Sequence, residues 1–227
     1  MRRLVRDMSS VLLIAGVLML VDAGLTLVWQ EPLTAVIGLI KRSQLDNRYL
    51  SYNSAPLSPL ERRPLIGLGM SKRIAYLARL EQRRVPTGFP IGTIVIHKIG
   101  ISYHVIEGTD DSSLQKGPGH YPSTAFPGLG QTVGIAGHRT TYLKPFHDIN
   151  ALKQGDRIVL KMPYAWFTYV VQYQKIVLPT AVSVVDNRGY ERLVLSACNP
   201  LYSAAQRIIV FARLQKMEPK GAALSAT

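Results

Sequence analysis

The sequence contains a single cysteine, Cys198, among 227 residues. No intramolecular disulfide can form, and in an exported chain that thiol would stand unpaired. Acidic residues are scarce as well: 14 Asp+Glu face 27 Lys+Arg, a formal net charge of +13. The basic residues do not form one long tract, and neither zinc-finger spacing nor an aromatic-plus-basic RNA-binding signature is present. Nucleic acid is therefore not an expected partner, and a solvated basic face near anionic lipid fits the charge better. Histidines are few and scattered. His97 and His104 lack metal partners, His147 and Asp148 lack a third ligand, and Asp110-Asp111 reads as a solvated pair. No metal and no cofactor are expected. There is no internal repeat.

Against these absences stands one long apolar run. Residues 9–29 carry a single charge, Asp22. About 20 apolar residues cross a bilayer core as a helix. Arg2, Arg3 and Arg6 precede the run, which by the positive-inside rule places the N-terminus in the cytoplasm and the rest outside. Asp22 lies toward the outer end, where a charge costs less, and Trp29 suits the interface. A signal peptide with its apolar region at 11–21, or a buried core helix, would read similarly. The expected organisation is a cytoplasmic N-terminus at 1–8, an anchor at 9–30, a juxtamembrane segment at 31–85, a catalytic domain at 86–217 and a frayed tail at 218–227.

Within the juxtamembrane segment, Pro56, Pro59 and Pro64 mark a linker. Residues 70–84 follow a helical period, with Ile74, Leu77 and Ala78 on one face and Ser71 as a candidate cap. Packing on the domain accounts for such a short helix better than lying on a membrane. From residue 90 onward the texture is short apolar runs between Gly and Pro turns, at 93–97, 101–105, 132–136, 157–161, 166–174, 192–197 and 207–214. This pattern predicts an all-β sandwich or barrel.

Three features carry chemistry. Gly134-Ile135-Ala136-Gly137-His138-Arg139 runs an apolar strand into a histidine. Leu193-Val194-Leu195-Ser196-Ala197-Cys198-Asn199-Pro200 ends an apolar strand at the cysteine. Arg207 opens the strand Ile208-Ile209-Val210-Phe211. A Cys, a His and an Arg at strand ends can meet at one end of a barrel. Thiolate is the reacting form, and nearby cations lower a thiol's pKa from about 8.5. His138 could exchange a proton with Cys198 and deliver it to a leaving amine, and Arg207 could steady an oxyanion or hold a substrate backbone.

TVGIAGHRTTY resembles the His motif of sortases, LVLSACNP their TLxTC motif, and GTIVIHKIGI their opening strands. DSSLQKGPGHYPSTAFPG and NALKQGDRIVL are similar to further sortase segments, so the resemblance covers about residues 86–215 in the family's order. AGHRTTY, with an Arg nine positions after the Cys, looks most like class E. The resemblance implies a closed eight-stranded barrel with short helices. It also implies a membrane-anchored cysteine transpeptidase that cuts an LPxTG or LAxTG sorting signal between Thr and Gly. The acyl group would pass from Cys198 to an amine of a peptidoglycan precursor or a pilin. Implied partners are secreted proteins bearing the signal, the amine acceptor and membrane lipid; the implied catalytic residues are His138, Cys198 and Arg207.

One residue departs from the family: Ala197 stands where Thr usually precedes the Cys, which removes a hydroxyl from substrate positioning. Ser196 is adjacent, but strand alternation turns it to the other face. Both remain candidate substrate contacts, with His120 and Tyr121 after the Gly-Pro-Gly turn; Tyr142 could cover His138. An L,D-transpeptidase would need a His-Gly-Cys run that this sequence lacks. A catalytically idle membrane-tethered barrel serving in binding or assembly is the rival from another class.

Overall fold

The computed structural model describes residues 2–29, 36, 38–40, 45, 49 and 57–224. Most of the linker at 31–56, the side chains of Arg2, Arg3, Arg6 and Trp29, and residues 225–227 of the tail lie outside the described residues.

The apolar run forms one helix, α1 (Arg2–Trp29). Within it, Asp7–Leu25 has a mean hydropathy of 2.1, and none of that span is buried against described protein. It is long and apolar enough to cross a membrane. Two short turns follow, α2 (Pro59–Arg62) and a 3₁₀ turn at Arg63–Leu65, whose Leu65 is buried in the core.

Helix α3 (Met70–Arg84) covers the predicted residues, and its Ile74, Leu77 and Ala78 enter the core as their spacing requires. Its N-cap is Gly69, without a side-chain cap, rather than Ser71. The helix ends before Pro86, with Arg83 and Arg84 in the last turn, where cations favour the helix dipole. Gly128 lets α3 approach: a Cβ there would sit 2.8 Å from Ile74 Cγ2, and its φ of +99° is itself a glycine conformation.

Eight strands close into a barrel in the order β1-β2-β3-β4-β7-β8-β6-β5. They are β1 (Pro90–Ile96), β2 (Ile101–Glu107), β3 (Gly119–His120), β4 (Thr132–Ala136), β5 (Arg157–Lys161), β6 (Ala165–Val177), β7 (Arg192–Asn199) and β8 (Gln206–Pro219). A short helix, α4 (Asp111–Leu114), lies between β2 and β3, capped by the Asp110 side chain on the Ser113 N–H. Alternation sorts the side chains. Val133, Ile135, Leu193, Leu195, Ala197, Ile208, Val210 and Ala212 fill the interior, while Val194, Ile209 and Phe211 form a second, outer cluster with Val184 and Val185.

Buried polar groups tie the loops to this core. The Glu191 carboxylate accepts from the Gly128 and Gly130 N–H groups at 3.0 Å and from Tyr169 Oη at 2.8 Å. Burial raises its pKa, and these bonds oppose the rise. The chain beyond residue 218 does not begin to fray there. Lys220 N bonds Tyr164 O at 2.9 Å, and Ala223 is buried in the core.

Glu81, on α3, is different. Its Oε1 is buried without a hydrogen-bond partner among the described residues. Burial raises its pKa to about 7. A carboxyl whose folded pKa lies above its unfolded value of 4.5 favours the fold fully below that value, and the advantage is lost as pH rises through 7. Glu81→Gln is therefore expected to raise the thermal midpoint at pH 8 and to change it little at pH 4.5, the gain being on the order of 1–3 kcal/mol. Thermal melts at the two pH values check this; an equal change at both contradicts it.

Candidate active site

β4 and β7 lie parallel, with Ala136 opposite Ser196, and the Gly137 N–H continues the ladder to Ser196 O at 3.0 Å. Carrying that register two residues on brings His138 level with Cys198. On its other side β7 runs antiparallel to β8, where Cys198 is directly opposite Arg207. Directly opposed residues share a face. That face is the outer one, since Ala197 and Ile208 point inward. The three residues singled out for chemistry thus come together at one end of β4, β7 and β8. All three are half-buried.

The loop after β4 is built to fix His138. Gly137 packs against the Phe146 ring: a Cβ there would lie 2.4 Å from Phe146 Cδ2. The Phe146 N–H donates to His138 O at 2.9 Å. Tyr142, Leu143 and Lys144 all take left-handed backbone conformations, with φ of 47°, 65° and 41°. Such a run of non-glycine residues is strained. The Lys144 N–H to Thr141 O bond at 2.8 Å and the Tyr103 Oη to Leu143 O bond at 3.1 Å hold it. This bend lays the Tyr142 ring on His138, with centroids 5.4 Å apart. Burial lowers the pKa of His138 below its ordinary 6.5, with the charge of Asp111 acting in the opposite direction. Burial thus favours the neutral imidazole.

Arg207 sits half-buried at the start of the last strand. Its Nη1 donates to Ala204 O and Gln206 O, both at 2.9 Å, which anchors the guanidinium to its own loop.

The candidate substrate contacts divide. Tyr121 covers the outer face, where a Cβ on Gly134 would meet its Cδ2 at 2.9 Å, and its hydroxyl pairs with Ser196 Oγ at 2.9 Å. Ser196 therefore shares the face of Cys198. Ala197 points the other way, into the core, so the hydroxyl that this chain lacks would have been an interior group. His120 lines no groove: it is wholly buried. Its Nδ1 is 2.8 Å from Glu107 Oε2, and its Nε2 is 3.0 Å from Thr124 Oγ1 and 3.2 Å from Ala125 O. A carbonyl only accepts, so Nε2 carries a proton. His120 pins the 120–125 loop, and through that loop it places Tyr121.

The sequence reading missed Arg139. Its side chain is almost wholly buried and reaches the end of β7 at Cys198 and Asn199. Its place beside the motif histidine was visible, but its partners, 11 and 59–60 residues away, were not. Among the described residues no group of three or more His, Cys, Asp or Glu could hold a metal ion.

Gly137→Ala forces a methyl into the Phe146 ring. It is expected to destabilise the fold by about 1–3 kcal/mol and to displace His138. Thermal melts and a crystal structure of the variant check this; an unshifted His138 at wild-type stability contradicts it.

The sequence profile of the Sortase domain matches residues 94–215, more than half of the chain. Sortase D of Bacillus subtilis (strain 168) is 32% identical over 131 residues, which is 56% of this chain and 65% of that protein. Sortase SrtE1 of Streptomyces coelicolor is 29% identical over 158 residues, 61% of this chain and 45% of that protein. A crystal structure of sortase E1 from Streptomyces coelicolor with a tripeptide in the active site superposes with a TM-score of 0.55 at 27% identity, covering 58% of this chain and 91% of that one. The structure of sortase E from Streptomyces avermitilis does so with a TM-score of 0.54 at 36% identity, covering 61% and 99%. The chain thus spans less than two thirds of the length of these Bacillus subtilis and Streptomyces coelicolor relatives. With its closed barrel, and with a Cys, a His and an Arg at one end of three adjacent strands, this chain belongs to the sortase family.

Proposed function

We propose that the chain is a membrane-anchored cysteine transpeptidase acting on an LPxTG- or LAxTG-like sorting signal. The observation that carries the reading is the alignment of His138, Cys198 and Arg207 on one outer barrel face. The tripeptide in the active site of the Streptomyces coelicolor enzyme supports a peptide substrate. The apolar helix α1 supports anchoring, with the N-terminus in the cytoplasm, residues 31–85 as tether and residues 86–217 as the catalytic unit outside.

In this mechanism Cys198 Sγ, deprotonated by His138, attacks the carbonyl carbon of the signal's Thr. The oxyanion that forms is met by the Arg207 guanidinium. The Thr–Gly bond breaks, His138 gives its proton to the departing amine, and a thioester remains on Cys198. An amine from a cell-wall precursor or a pilin then attacks the thioester, with neutral His138 as base, and the thiol is regenerated. The neutral imidazole that burial favours suits both roles, because it takes a proton before it gives one. Tyr121 and Ser196, on the same face, are proposed to touch the bound signal; His120 acts one layer behind, and Ala197 acts through packing.

The test is cleavage of quenched LPxTG and LAxTG peptides by the full chain in detergent micelles, with and without an added amine. Cleavage that requires Cys198 and gives an amine-linked product is expected, and Cys198→Ala should abolish it. Absence of cleavage with an unreactive thiol would favour an idle binding barrel. The pH profile of kcat/KM is expected to be bell-shaped. The limb set by His138 lies below pH 6.5, since burial favours its neutral form. A flat profile from about pH 5 to 10 would sink the Cys–His pair as the working unit.

A further inference from the structure

Arg139 is only 4% exposed, yet it is a charged residue with no carboxylate in ion-pair contact among the described residues. Its fork is filled by neutral oxygens. Nη1 donates to Cys198 O at 3.2 Å and to Asn199 Oδ1 at 3.0 Å, Nη2 to Asn150 Oδ1 at 2.9 Å, and Nε to His147 O at 3.3 Å. In return His147 Nδ1 is 2.8 Å from Arg139 O, and it donates there because a carbonyl only accepts. One side chain therefore joins the His138 loop, the end of β7 and the 3₁₀ turn at Ile149–Ala151.

A buried cation is a poor device for stability alone. Its desolvation is costly, and a well-packed apolar side chain of similar volume serves as well or better. The cost shows in the lowered pKa of Arg139, which burial causes and which the charges of Asp148 and then Cys198 oppose. What a guanidinium supplies, and an apolar side chain does not, is a rigid planar set of donors that fixes several acceptors in one geometry. Here one acceptor is the carbonyl of Cys198 itself, and the residue that donates is the chain neighbour of His138.

We propose that Arg139 is a positioning residue for the transfer reaction: its fork locks the His138 loop to the Cys198 end of β7 and so fixes the separation of nucleophile and base. The inference rests on the sortase-type reading above. Arg139 does not touch the substrate. It lies behind His138 and Cys198, so its loss misplaces them without altering the face that the peptide binds. Misplacement of reacting groups by about 1 Å costs on the order of 100-fold in rate.

The experiment uses the full chain in detergent micelles, each variant taken as a monodisperse, cooperatively melting fraction so that misfolded molecules do not enter kcat per active site. Arg139→Lys keeps the charge and loses the fork. It is expected to lower kcat per active site by about 10- to 100-fold with KM within about twofold of wild type. Asn150→Ala removes one exposed partner of the fork and leaves the core intact; it should lower kcat several-fold, again with KM unchanged. If Arg139→Lys does not fold, Asn150→Ala decides alone. An unchanged kcat per active site in the folded variants overturns the inference and leaves Arg139 a scaffold residue. A raised KM at unchanged kcat overturns it in favour of substrate binding. Cleavage that survives Cys198→Ala removes the transpeptidase reading and this inference with it. Loss in Cys198→Ala with unaltered Arg139 and Asn150 variants removes the inference only.

Discussion

The parallel ladder between β4 and β7 is the constraint on which the rest of the site depends. It pairs segments about sixty residues apart and runs them toward the same end of the barrel. Each strand then stops close to its chemical residue: β4 at Ala136, two residues before His138, and β7 one residue past Cys198. Parallel strands cannot be joined by a tight turn. The chain must leave the ladder and come back, and β5, β6 and their connections occupy that excursion. The antiparallel β7–β8 pair adds Arg207 directly across from Cys198.

Around this ladder, the two faces of β7 have different tasks. Leu193, Leu195 and Ala197 anchor the strand in the barrel, while Ser196 and Cys198 face outward with the Tyr121 hydroxyl on Ser196. The substitution at position 197 therefore changes the interior behind the nucleophile rather than the surface that meets a peptide. Polar groups sealed in the wall do the positioning. Glu191 fixes the 128–130 turn, the His120–Glu107 pair fixes the loop that presents Tyr121, and Arg139 fixes the strand ends. Each is deeply buried and hydrogen-bonded to backbone, which is how a barrel holds irregular loops without giving up satisfied polar groups.

Much of this was legible in the sequence, because period-2 apolar runs are a local signal. Residues 132–136 and 157–161 coincide with β4 and β5, and the helical period at 70–84 coincides with α3. The motif order placed His138, Cys198 and Arg207 at strand ends. What local reading misses is set by distant partners. β3 is two residues long inside a run of breakers and exists only because β2 and β4 flank it. Residues 218–224, which composition marks as part of a frayed tail, are held by Tyr164 and by core contacts of Ala223. His120 looks like a groove residue beside its Gly-Pro-Gly turn, yet Glu107 and Thr124 draw it inside. Arg139 reads as half of a motif, and its purpose is written in Asn150 and Asn199.

The central claim is that Cys198, set level with His138 by the β4–β7 register, forms a covalent acyl link to a sorting-signal peptide. The most direct measurement is intact-protein and peptide mass spectrometry of the full chain mixed with an LPxTG or LAxTG peptide and quenched in acid. The account predicts a mass increment equal to the signal's N-terminal fragment through Thr, located on the peptide that contains Cys198 and removed by hydroxylamine. A folded protein with an accessible thiol that never acquires this adduct, or acquires it at another residue, would contradict the account.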